Sequence, residues 1–102
     1  MTYSRFEGLP VWQEAIRLVD EVCNMTEHKD WSGSCSLRDQ LERAALSVSN
    51  NIAEGFERGT TNELLAFLHI ARGSAGEVRS MLCFLERRSG FAHFRSQISK
   101  GA

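Results

Sequence analysis

The stretch Glu54-Gly55-Phe56-Glu57-Arg58-Gly59-Thr60-Thr61-Asn62-Glu63-Leu64-Leu65 decides the architecture of this chain. Before it, apolar residues recur every three or four positions: Leu37, Leu41, Ala44/Ala45, Val48, Ile52 and Phe56. After it, Leu64, Leu68, Ala71, Ala75, Val78, Leu82 and Leu85 do the same, with Phe67, Met81 and Phe84 alongside. Both patterns are the stripe of an amphipathic helix. Gly59 directly follows Arg58, where a glycine ends a helix by entering the left-handed region. Thr60 and Glu63 have the spacing of a capping box, which starts the next helix at once. So short a turn makes the two helices antiparallel neighbours.

Working outward, Ser36 with Asp39 reads as the capping box that opens the second helix. The third helix spans residues 61–88, stopped by Ser89-Gly90. Upstream, Pro10 suits a first helical turn. From there Val11, Ala15, Leu18, Val22 and Met25 form one stripe, with Trp12, Ile16, Val19 and Cys23 beside it. The first helix is therefore expected over residues 10–27. Residues 28–35 form a loop, in which Trp31 is either a lid over the bundle end or a contact for a partner. Residues 91–100 can form a short fourth helix through Phe91, Phe94 and Ile98. The expected fold is all-α: a single domain, 1–102, built as an antiparallel up-and-down bundle of three long helices and a short fourth.

Composition agrees. The chain has 102 residues, 42% hydrophobic and 25% charged, as in an ordinary globular domain. A β-sandwich or barrel would need turn residues throughout, yet there is a single proline and the turn formers gather at a few places. The formal charge of −1 does not suggest a generally basic nucleic-acid binder. Its distribution is uneven: residues 1–58 carry 6 basic and 10 acidic groups, residues 59–102 carry 6 and 3. Cys23, Cys35 and Cys83 form no CxxC and no zinc spacing, so reduced thiols in a cytoplasmic protein are expected. The N-terminus does not read as a signal peptide, and no apolar run approaches the ~20 residues of a membrane helix. Cys23 and Cys83 fall among apolar positions and are expected to be buried and inert, with Cys35 in the loop.

The polar residues of the second helix border its apolar stripe instead of opposing it: Arg43, Ser47, Asn51, Glu54 and Arg58 run along one side. Ser74 and Glu77 interrupt the apolar third helix. With the turn centred near residues 59–61, Arg43 is expected opposite Glu77, Ala44 opposite Gly76, Ser47 opposite Gly73 and Asn51 opposite His69. Gly55, Gly73 and Gly76 each cost about 1 kcal/mol against Ala inside a helix, which close backbone approach would explain. The expectation is a buried or half-buried polar seam that fixes register, with an Arg43–Glu77 ion pair in it. A ligand pocket or active site using Arg43, Glu54 and Glu77 is the sharper alternative. Two acids and one histidine at these spacings do not make a di-iron set, and HExxH, Walker A and GxGxxG motifs are missing. No catalytic, cofactor-binding or metal-binding residue is assigned, and no enzyme is expected. His28 and His93 read as solvated. Arg72, Arg79, Arg87, Arg88, Arg95 and Lys100 are candidate RNA or DNA contacts, or else a solvated face.

Four segments occurring in order carry a resemblance: Leu9-Pro10-Val11-Trp12-Gln13-Glu14-Ala15, Gln40-Leu41-Glu42-Arg43-Ala44-Ala45, Asn50 through Arg58, and Phe67 through Glu77. The chain resembles, over about residues 6–88, the four-helix-bundle proteins encoded in intervening sequences of 23S ribosomal RNA genes. The accessory protein of diversity-generating retroelements is similar to that same family. The resemblance implies an up-and-down bundle assembling as a ring, typically a homopentamer, with no established enzymatic activity and a cellular role unknown for most members. It also implies, through the retroelement protein, nucleic-acid binding on a basic ring surface beside a reverse transcriptase. The sequence departs from this pattern in its charge of −1 and in having only about twelve residues after Gly90. Apart from the resemblance, the first and third helices carry more apolar surface than one bundle side needs, which argues for packing against further copies.

Overall fold

A computed structural model describes residues 3–88. It contains a single 3-10 turn, Phe6–Gly8, and three α-helices: α1, Pro10–Thr26; α2, Cys35–Glu57; and α3, Thr61–Glu86. No strand occurs among the described residues. The all-α architecture and the three long helices expected from periodicity are therefore present. The fourth helix, at 91–100, lies outside the described residues.

Local chemistry sets the boundaries. Gly59 has φ +87°, the left-handed conformation that ends α2. Thr60 is the N-cap of α3, its side-chain oxygen accepting from the backbone N–H of Glu63 at 3.2 Å. Pro10 occupies the first turn of α1. The start of α2 differs from expectation. Ser34, not Ser36, is the cap, accepting from the N–H of Leu37 at 3.0 Å, so the helix begins at Cys35. Ser34 and Ser36 both offer a hydroxyl near the apolar run, and the chain uses the earlier one, gaining a further half-turn.

The second helix is central and packs against both α1 and α3. Leu41, Ala44, Ala45, Val48, Ile52 and Phe56 of α2 are all buried. At one end they meet Val22 and Met25 of α1 and Val78, Leu82 and Leu85 of α3, and Trp31 from the loop packs on that cluster as a lid. At the other end Val48 and Ile52 join Ala15 and Ala71, with Trp12 and Leu68 at the edge. The N-terminal turn is pinned there by an edge-to-face contact of Phe6 with Trp12, centroids 5.3 Å apart. Val11, the first residue of the expected α1 stripe, is 49% exposed.

Candidate functional site

The turn at Gly59 sets the register of the polar seam between α2 and α3. Ser47 Oγ of α2 and Ser74 Oγ of α3 are 2.9 Å apart. The expected partner of Ser47 was Gly73, so the pairing is displaced by one residue. Asn51 Nδ2 donates to the Ser47 carbonyl at 2.7 Å and to Ser47 Oγ at 3.0 Å. Either hydroxyl of the Ser47–Ser74 pair can donate to the other, and a half-buried chain of three side chains results. Asn51 thus turns back onto its own helix instead of meeting His69, which is exposed.

The charged members behave differently. Arg43, Glu54, Arg58 and Glu77 are exposed. Arg43 and Glu77 do face one open hollow of about 820 Å³, together with Ser36, Asp39, Gln40, Ala44 and Ser47. Among the described residues, however, no ion pair joins them, and the expected Arg43–Glu77 salt bridge is corrected. The register brings them to the same rim, but both point to water, where an ion pair gains little over hydration. Glu54 accepts instead from Arg58, one turn along α2, at 3.3 Å. The Arg58 guanidinium also lies 5.2 Å above the Phe67 ring of α3. The three residues of the enzyme alternative are thereby divided: Arg43 and Glu77 share the hollow, and Glu54 is tied elsewhere. Among the described residues, no three His, Cys, Asp or Glu side chains gather as a metal site.

Of the glycines, Gly55 fits the expectation of close approach. A Cβ there would stand 2.6 Å from Phe67 Cβ and 3.3 Å from Leu64 Cα. Gly73 and Gly76 do not fit it. A Cβ at either would meet nothing within 4 Å, because both lie on the outer surface of α3.

The cysteines divide as well. Cys23 is half-buried, and Cys35 and Cys83 are exposed, so the expected burial of Cys83 is corrected. Cys83 follows the buried Leu82 by one position, and that single step turns it from the core to solvent. Burial, then the carboxylates of Glu42, Glu27 and Asp20, raises the Cys23 thiol above its ordinary range. Glu42 belongs to a contact that the sequence did not reveal. The buried Thr26 hydroxyl of α1 donates to Glu42 Oε2 of α2 at 2.5 Å. A polar residue ending an apolar stripe, after Met25, was the available signal.

Of the candidate nucleic-acid contacts, Arg72, Arg79, Arg87 and Arg88 are exposed on or just beyond α3. Arg88 lies 5.9 Å over the Phe84 ring. Arg95 and Lys100 lie outside the described residues. No described helix is long and apolar enough to cross a membrane.

The sequence profile of the family described as 23S rRNA-intervening sequence protein matches residues 7–98. No curated protein matches the chain.

Proposed function

Since the chain belongs to the 23S rRNA-intervening sequence protein family, we propose that it is a non-enzymatic, cytoplasmic helical-bundle protein that works as a homo-oligomer. The observation that carries this reading is apolar surface left in water. Val11, Leu65, Ile70 and Phe84 are 49–51% exposed, on two of three helices. A large apolar side chain fully removed from water gains roughly 1.5–3 kcal/mol, and a second copy offers that gain. Closed symmetry satisfies every copy equally, which favours a ring. The number five comes from the resemblance, not from the surface. Three free thiols fit a reducing compartment.

Sedimentation or light scattering at micromolar concentration tests the reading. A homo-oligomer is expected, and a clean monomer refutes it. A pentamer supports the number implied by the resemblance, and a dimer or tetramer rejects that number alone.

A second reading, an accessory module for RNA or DNA, draws on Arg72 and Arg79. They stand seven residues apart on one side of α3, exposed and outside any ion pair among the described residues. A ring in which both arginines stay in solvent would multiply these charges. Phosphate contacts release counterions, so binding would fall steeply with salt. Binding that is undetectable at low salt removes this reading.

A further inference from the structure

The outer surface of α3 carries two rows of opposite character, each of which keeps half-exposed apolar side chains and charges outside any ion pair among the described residues. Ile70, Glu77 and Phe84 form one row at seven-residue spacing. Leu65, Arg72 and Arg79 form the other, also at seven-residue spacing. At 3.6 residues per turn the rows lie about 140° apart around the helix. Ile70 and Phe84 are 51% and 49% exposed, and Leu65 is 50% exposed. Glu77, Arg72 and Arg79 are exposed, and none of them belongs to an ion pair among the described residues. One row is thus apolar and acidic, the other apolar and basic. Between them lie Gly73 and Gly76, which face open space.

We infer that these rows are the two halves of a contact between successive copies of this chain, Glu77 of one copy meeting Arg72 and Arg79 of the next. The inference rests on the homo-oligomer proposed above and assigns its interface. In a cyclic assembly each contact joins two different patches of the same surface. Rotation about an axis parallel to α3 sets neighbouring α3 helices parallel, with one row facing the other at equal height. Glu77 then stands about 3 Å along the axis from Arg79 of the partner subunit, at 1.5 Å per residue. Ile70 comes level with the stretch between Leu65 and Arg72 of the partner subunit. Charge complementarity selects this pairing over like rows, which would set acid on acid or base on base. Gly73 and Gly76 keep the crest of the helix low at the turn between Arg72 and Glu77, with the exposed His69 and Ser80 on the crest to either side, so the charged side chains can approach there.

Charge reversal in the full chain tests the assignment. Glu77→Arg alone, or Arg72→Glu with Arg79→Glu, is expected to weaken assembly at least tenfold by sedimentation velocity. The triple variant, with all three charges reversed, is expected to restore it. Glu77 is five residues from Arg72 and two from Arg79, so they do not face each other on one helix, and restoration reports a contact between copies. Circular dichroism and thermal melting check that each variant stays folded. Variants that assemble like the unaltered chain overturn the interface and leave the oligomer standing, as does a folded triple variant that fails to recover. An unaltered chain that sediments as a monomer overturns both.

Discussion

Ser47 of α2 and Ser74 of α3 join the two helices through a hydroxyl pair 2.9 Å apart, 27 residues apart in sequence and held by Asn51. The pair marks the register that the turn at Gly59 imposes, in the middle of two helices joined mainly by apolar contacts. Ser74→Ala removes one partner and leaves a half-buried hydroxyl on Ser47. A net hydrogen bond is worth ~0.5–1.5 kcal/mol, so a loss near the low end is expected in urea unfolding. Asn51→Ala is expected to cost more, since it removes two bonds to Ser47 at once.

Gly55 and Gly73 are expected to respond oppositely to alanine. At Gly55 the new methyl collides with Phe67 Cβ, which cannot move without α3. Overpacking of ~1–3 kcal/mol outweighs the ~1 kcal/mol gained in helix propensity, and stability falls. At Gly73 there is open space, so the propensity gain survives and stability rises by roughly 0.5–1 kcal/mol. Melting temperatures of the two variants, measured in dilute solution, should move to opposite sides of the unaltered protein.

Thr26→Val keeps the shape of a buried side chain and deletes the donor to Glu42. The Glu42 carboxylate is half-buried and must then find water at the α1–α2 boundary. A destabilisation of about 1–3 kcal/mol is expected, the range for a buried polar group that loses its bond, with the half-exposure of Glu42 keeping the cost of its charge within it. The double variant Thr26→Val with Glu42→Leu is expected to recover part of it, as apolar groups replace both partners. Denaturant midpoints decide the point.

The three thiols should separate by accessibility and by pH. Cys35 and Cys83 are exposed and are expected to react first with a thiol reagent. Cys23 is half-buried and its pKa is raised, chiefly by burial and then by nearby carboxylates. The thiolate is the nucleophile, so Cys23 labelling should accelerate at more alkaline pH than that of an unstructured cysteine peptide. The folded state holds this proton more tightly than the unfolded one. Its contribution to stability is therefore present below the ordinary thiol pKa and lost as pH rises through the raised value. Mass spectrometry of labelled peptides across pH 7–10 checks the order.

The helices and most of their ends were legible because their signals are local. Gly59, Thr60 and Pro10 act within one turn of themselves, and the stripe of α2 became the core that its spacing described. The cap of α2 was misplaced by two residues because two serines compete for one role, and only the packing of the loop chooses between them.

The candidate site was legible as a register and less so as a set of bonds. Periodicity and a short turn determined, from the sequence alone, that α2 and α3 run antiparallel with Arg43 opposite Glu77 and with Ser47 opposite Gly73, one residue short of its actual partner Ser74. Tertiary structure alone decided what those neighbours do. Whether Arg43 reaches Glu77 depends on how far each long side chain stands from the buried arc of its own helix, and here both stay exposed. Whether a helical glycine answers a close approach depends on what lies across from it: Phe67 for Gly55, open space for Gly73 and Gly76. The contact of Thr26 with Glu42 likewise spans two helices joined by a loop without a sharp turn signal, so no spacing rule announced it. Periodicity specifies which side of a helix a residue occupies, and the distance across to the next helix is set only when the whole core packs.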